Sequence, residues 1–172
     1  MEKKFLIKIA EKCEKERVRL VLDECFVQFL TSGEEASMQL ETGRFRYLFV
    51  LQAFTKIYAV PGIRLGYGIS SDKALLERME TVRQPWSVST PAQAAGLSAL
   101  KEDHREEQTR QLVKSERERM EKELENLRIE YIPSEANFLL FNSEINWFEE
   151  LKKRGILIRD CANYRGLGNG WY

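Results

Sequence analysis

The sequence lacks a net charge. Lysine plus arginine number 27 and aspartate plus glutamate number 27, so the sum is zero although 31% of the residues are charged. A nucleic-acid binder carries a basic excess, and this balance argues against that class. Histidine occurs once, at His104 on a charged helical stretch, so no histidine metal cluster or histidine-dependent triad can be assembled. The three cysteines, Cys13, Cys25 and Cys161, are odd in number and far apart, with no C-x-x-C pair. Free thiols in a reducing compartment follow from that spacing. No apolar run approaches the roughly 20 residues of a membrane span. Met1-Glu2-Lys3-Lys4 leads into a charged helix and not into a signal-peptide core. The expected location is the cytoplasm, with no membrane partner.

What is present is enough for a core. Hydrophobic residues make up 43% of 172 positions, which sets the prior at one domain, or one with a small appendage. Residues 3–15 place Phe5, Leu6, Ile9, Ala10 and Cys13 on one side at helical spacing. Residues 18–22 read as a buried strand that ends at Asp23-Glu24-Cys25-Phe26. Ligands of open α/β sheets gather beyond the carboxyl ends of strands, so Asp23 is either a cap for the next segment or a site residue. Glu24 reads as a solvent or supporting residue. A turn at Thr31-Ser32-Gly33 opens a short helix over residues 34–41.

The chain is organised around residues 52–68. Residues 47–51 read as a second buried strand, which delivers Thr55 and Lys56 to its end. Pro61-Gly62 turns the chain, Arg64 comes next, and Gly66-Tyr67-Gly68 begins a glycine-rich strand. Phe54, Ile57, Tyr58 and Val60 flank Lys56, and such surroundings disfavour its charge and free its amine as a nucleophile. Arg64 offers a planar fork for phosphate or carboxylate. Both strands are apolar on both faces, which suits a sheet covered on both sides.

Further on, Ser71-Asp72 caps a helix carrying Leu75, Leu76, Met79 and Val82. A two-proline loop over residues 84–91 is either a connector with a buried Trp86 or a segment near a site. Residues 92–100 form a tightly packed small-residue helix. Residues 101–128 are charged and helical, and they read as a solvated helix bridging two domains. Residues 130–133, 137–141 and 156–159 read as strands, with a helix over 147–154 stopped by Gly155. That order describes a compact small α+β domain. The resulting boundaries are a partial large domain over 1–100, a bridging helix over 101–128, and a small domain over 129–172.

Thr55-Lys56 with Pro61-Gly62-Ile63-Arg64-Leu65-Gly66-Tyr67 resembles the lysine segment of fold-type I pyridoxal-phosphate enzymes of the class I/II aminotransferase family. Within it, the chain resembles threonine-phosphate decarboxylases of cobalamin synthesis and histidinol-phosphate aminotransferases of histidine synthesis. The resemblance implies an α/β fold, with a partial large domain of mixed, mainly parallel sheet and a small α+β domain. It corresponds to the second half of the family's length, so the chain is expected to be a fragment, with its small domain ending short of a further arginine. The cofactor implied is pyridoxal 5'-phosphate, carried covalently on Lys56. Asp23 would hold its pyridine N–H, and Thr55 and Arg64 would hold its phosphate. Arg159 matches an arginine that reaches the substrate's anionic end.

Phe26 stands where the aminotransferases often have a tyrosine, which leans toward the decarboxylases, although plain core packing is equally compatible. The partners implied are a phosphorylated amino acid and, at full length, a second copy in a homodimer. The leading reading is a threonine-phosphate-decarboxylase-like enzyme. Its alternatives are a histidinol-phosphate or related aminotransferase, and a fragment without catalysis that only mediates association. For a fragment, cofactor binding by the chain alone is expected to be weak or absent.

Overall fold

The computed structural model describes residues 2–102 and 104–172, divided into two compact units at Arg110/Gln111. The first unit is built on a three-stranded sheet of β1 (Leu20–Asp23), β2 (Leu48–Ala53) and β3 (Gly66–Ile69), in that order. β1 runs parallel to β2, with Asp23 opposite Leu51, and β3 runs antiparallel to β2, with Gly66 opposite Ala53. The sheet is therefore mixed, with one pairing of each kind. Parallel pairing requires a crossover, and residues 24–47 provide it. They do so with three short 3₁₀ turns, Val27–Phe29, Gly33–Ala36 and Gln39–Gly43. The single helix expected over 34–41 is thus replaced by tighter turns around the buried Ser37 and Met38.

One face of the sheet carries the core. Leu48 and Val50 of β2 pack with Met38, Phe45 and Ala10 of α1 (Lys3–Glu16), joined by Leu6, Ile7, Leu20 and Leu22. The buried stripe of α1 runs through Leu6, Ile7 and Ala10, and Phe5 is exposed. On the opposite face Phe49 is buried, yet Val21 is 53% exposed and Leu51 is also exposed. The apolar residues of β1 alternate between a covered and an open side, as expected for a chain that lacks part of the cover a two-faced apolar sheet calls for.

Phe49 is buried because β3 has no side chain where its ring lies. A Cβ on Gly68 would run into the Phe49 ring. Gly68→Ala is therefore expected to destabilise the unit by about 1–3 kcal/mol, the range for overpacking a closed contact. Urea unfolding measures this, and an unchanged midpoint would show that the ring has room to move aside.

After β2 come α2 (Phe54–Ile57), the 3₁₀ turn Pro61–Ile63 and β3. α3 (Lys73–Val82) starts at Asp72, whose carboxylate accepts from Leu75 N at 3.4 Å and from Arg19 Nη2 at 2.5 Å. The loop to α4 (Thr90–Ala99) leaves Trp86 96% exposed, so the connector does not bury it. α5 (Arg105–Asn126) runs from the first unit into the second and has no fully buried residue among those described.

In the second unit β4 (Glu130–Ile132) pairs antiparallel with β5 (Leu140–Asn142), and α6 (Trp147–Lys152) is capped by Asn146 Oδ1. Residues 156–159 form no strand. The far edge of β5 is taken by the tail instead, because Phe141 and Tyr172 exchange backbone hydrogen bonds of 3.1 and 3.0 Å. Asn142 also bridges to Trp171. A strand needs a partner row, and that row was already occupied.

Candidate cofactor site

The parallel register brings two elements to the same end of the sheet. Asp23 closes β1 opposite Leu51, and five residues past Leu51 lies Lys56 on α2. The α2 turn is four residues long, and successive helical residues point about 100° apart. Thr55 and Ile57 are accordingly buried while Lys56 is exposed. The apolar neighbours of Lys56 in sequence do not enclose it. Its Nζ instead stands over the Phe26 ring, 5.4 Å from the centroid. A cation over a ring face is favourable by about 0.5–1 kcal/mol at exposed sites.

Asp23 is exposed at the strand end and is tied to the turn after it. Its Oδ1 accepts from the backbone N–H of Cys25 at 3.0 Å. The Asp23 carboxyl is held below its ordinary value, first by a hydrogen bond from the Cys25 thiol and then by that backbone N–H. Partial burial opposes the shift, and the charge of Lys56 adds to it. The Cys25 thiol is pushed up to about 11, by burial and then by Asp23. It therefore stays a protonated donor near neutral pH. One oxygen of Asp23 serves the turn, and the carboxylate also feels the charge of Lys56.

The chain then folds back on itself. Phe54 N donates to Leu65 O at 3.2 Å, which sets Arg64 beside the start of α2. Ala59 and Arg64 both adopt left-handed backbone, at φ 55 and φ 56. Non-glycine residues in that region cost of order 1–3 kcal/mol each, and such strain collects at functional turns. Arg64 is exposed, and its Nη1 donates to Pro61 O at 3.1 Å. In the second unit Arg159 is exposed, donates to Asn163 Oδ1 at 3.3 Å and lies over the Tyr164 ring.

Two residues brace the end of β1. Glu24 is only 8% exposed and accepts hydrogen bonds from Ser37 Oγ at 2.6 Å, Met38 N at 2.8 Å and Gln52 Nε2 at 3.2 Å. It is a buried strut that fixes the crossover behind the site, not a solvent residue. Cys25 holds Asp23, and the available signal was position alone, since Asp side chains often accept from the N–H two residues on.

An exposed lysine, a carboxylate held in its ionised form and an exposed guanidinium on the adjoining turn lie on the segments that end β1 and follow β2. They fit a group with an aldehyde, a ring nitrogen that carries a proton, and a phosphate. Thr55 is less open than these three. Among the described residues no group of His, Cys, Asp and Glu side chains could hold a metal ion. No described helix is long and apolar enough to cross a membrane.

The sheet thus has an acid and a lysine at one end, the lysine on a turn that returns through an arginine. The family model described as aminotransferase class I and II matches residues 1–166. The chain is 35% identical to threonine-phosphate decarboxylase of Salmonella typhimurium over 175 residues, covering 99% of this chain and 48% of the relative. It is 33% identical to histidinol-phosphate aminotransferase of Bdellovibrio bacteriovorus, covering 93% of this chain and 43% of the relative. Among solved structures, histidinol-phosphate aminotransferase from Clostridium acetobutylicum superposes with a TM-score of 0.91 at 30% identity, covering 99% of this chain and 53% of that one. The chain belongs to the aminotransferase class I and II family. It spans about half the length of the curated relatives it matches.

Proposed function

We propose that the protein this chain contributes to is a pyridoxal-phosphate enzyme acting on a phosphorylated amino acid, as a threonine-phosphate-decarboxylase-like lyase. Asp23 at the end of β1 and Lys56 on the turn after β2, whose charge acts on Asp23, support the cofactor part of this reading; the similarity to a threonine-phosphate decarboxylase supports the lyase part. When bound, pyridoxal phosphate supplies an electron-accepting ring that lets a bond at the substrate's Cα break. Lys56 would hold the group through its amine, and the same amine would hold or move the proton at the substrate's Cα. Asp23, held ionised by the Cys25 donors, would keep the ring-nitrogen proton in place. Arg64 and the Thr55 hydroxyl would hold the phosphate, and Arg159 would serve the substrate's anionic end. The partners proposed are the phosphorylated amino acid and a second copy of the full-length protein, in the cytoplasm.

A second reading, a histidinol-phosphate or related aminotransferase, is favoured by the close superposition on the Clostridium acetobutylicum enzyme. The products separate the two. The full-length protein with pyridoxal phosphate and O-phosphothreonine is expected to release carbon dioxide. Keto-acid exchange with histidinol phosphate and no carbon dioxide would replace the first reading by the second. No turnover and no cofactor absorbance with either substrate would leave the chain an association module.

Asp23→Asn is expected to keep the cofactor's visible absorbance and lower turnover by about 10- to 150-fold. That is the equivalent of about 1.5–3 kcal/mol for a hydrogen bond to a charged group. Steady-state kinetics measure it, and unchanged turnover would reduce Asp23 to a cap of its own turn.

A further inference from the structure

Glu106, in the first turn of α5, joins two segments that lie beyond the strand ends. Its Oε1 accepts from Tyr58 OH at 2.8 Å and from Gln28 Nε2 at 3.4 Å. Tyr58 stands two residues past Lys56, at the end of α2. Gln28 stands five residues past Asp23, in the turn Val27–Phe29, and two past Phe26, over whose ring Lys56 Nζ lies. One carboxylate oxygen therefore bridges the lysine turn and the loop after the aspartate.

Both ends of the bridge are fixed. Glu106 Oε2 is 3.7 Å from Arg110 Nη1, one helical turn on, and the same Nη1 donates to Gln28 O at 3.2 Å. Gln28 is thus held through its amide and its carbonyl by one face of α5. The Tyr58 ring stacks on Phe54 with centroids 5.5 Å apart. Burial, and then the Glu106 hydrogen bond, hold the Tyr58 phenol above its usual range, so it stays a donor near neutral pH. A hydrogen bond to a carboxylate is about twice as strong as a neutral one. Directly after Tyr58, Ala59 takes left-handed backbone at φ 55. Strain of that kind persists where the surroundings fix it, and Tyr58 is anchored at that point.

We propose that Glu106 is a positioning residue of the candidate cofactor site. Acting through Tyr58 and Gln28, it holds the Lys56 turn and the loop after Asp23 in one register. The role rests on the reading that Lys56 and Asp23 hold pyridoxal phosphate, whereas the hold on the two segments does not. Lys56 and Asp23 would grip opposite ends of one rigid ring, at its aldehyde and its nitrogen, so their separation has to be set in advance. A misplacement of about 1 Å in such a pair can cost about 10²-fold in rate.

The test uses the full-length protein and two readouts. Without cofactor, amide hydrogen exchange compares residues 25–29 and 54–59 with β1 and β2. Glu106→Ala is expected to speed exchange in both segments by about tenfold or more, the equivalent of one hydrogen bond to a charged group. Tyr58→Phe is expected to do so in 54–59 alone, and neither variant to change the strands. With pyridoxal phosphate, both variants are expected to bind about tenfold more weakly. They are also expected to lose visible circular dichroism relative to absorbance, because that ratio reports how firmly the bound ring is oriented. Loss of folded protein would lower both signals together and leave the ratio unchanged. Glu106→Gln can keep an oxygen on Tyr58 and Gln28, and it is expected to retain the ratio of the parent. Tyr58→Phe decides alone if Glu106→Ala unfolds. Exchange quickened equally in the strands, or a parent-like ratio in the variants, would overturn the proposal. A parent without visible absorbance would overturn the cofactor reading and with it the role toward cofactor; local exchange would then still support the hold, and unchanged exchange would remove that too.

Discussion

Replacing Lys56 with alanine is expected to remove the visible absorbance of bound pyridoxal phosphate and to lower turnover by at least about 10²–10⁴-fold. That range covers the loss of a positioned proton-transfer group alone, before the loss of the covalent anchor is counted. The geometry behind the expectation is specific. Lys56 is the lysine carried on α2, its charge acts on Asp23, and its amine stands over the Phe26 ring. Lys56→Arg separates two roles. Arginine keeps the positive charge beside Asp23 but cannot serve as a free amine, because its guanidinium does not deprotonate in this range. Both variants are therefore expected to be inactive, with Lys56→Arg preserving the thermal stability of the parent. Turnover retained in Lys56→Arg would mean that the residue is only a countercharge to the aspartate. Turnover retained in Lys56→Ala would remove it from the site.

The motif around Lys56 was legible because residue type and spacing are properties of the sequence itself. The strands were legible for a related reason: residues 18–22 and 47–51 are apolar runs bounded by polar turns, and β1 and β2 fall on them with ends shifted by about two residues. What could not be read was direction. Adjacent strand residues point to opposite faces, so Asp23 and Glu24 must differ in burial, yet nothing in the pair says which one is covered. The cover comes from Ser37 and Met38, thirteen and fourteen residues on, across a crossover of 3₁₀ turns. Lys56 poses the same problem on a helix, where burial of Thr55 and Ile57 rotates the lysine outward. Residues 156–159 failed as a strand for a third reason. The sequence offered a good strand former, and the tail at Trp171–Tyr172 had already paired with the edge it needed.

Glu24→Ala is expected to be the most destabilising single change in the first unit, at about 3 kcal/mol or more. Three donors converge on this carboxylate: the Ser37 hydroxyl, the Met38 backbone N–H and the Gln52 amide. Each buried donor left unmade costs about 1–3 kcal/mol, and water admitted to the vacated space offsets part of the sum. Since a native domain is stable by only about 5–15 kcal/mol, the loss is a large share of the total. Glu24→Gln is expected to behave differently. Its carbonyl can keep the Met38 bond, and its new NH₂ gives Gln52 a reason to flip. Gln52 Oε1, buried and unpartnered in the parent, would then accept from it. The amide variant is therefore expected to lose only about 1 kcal/mol, near the net worth of one neutral hydrogen bond. Urea unfolding of both variants at neutral pH separates the cases. Equal, small losses would mean that Glu24 is hydrated and that the crossover holds itself through Met38 and Phe45. Equal, large losses would mean that the negative charge itself, and not the count of satisfied donors, secures the strand end on which Asp23 stands.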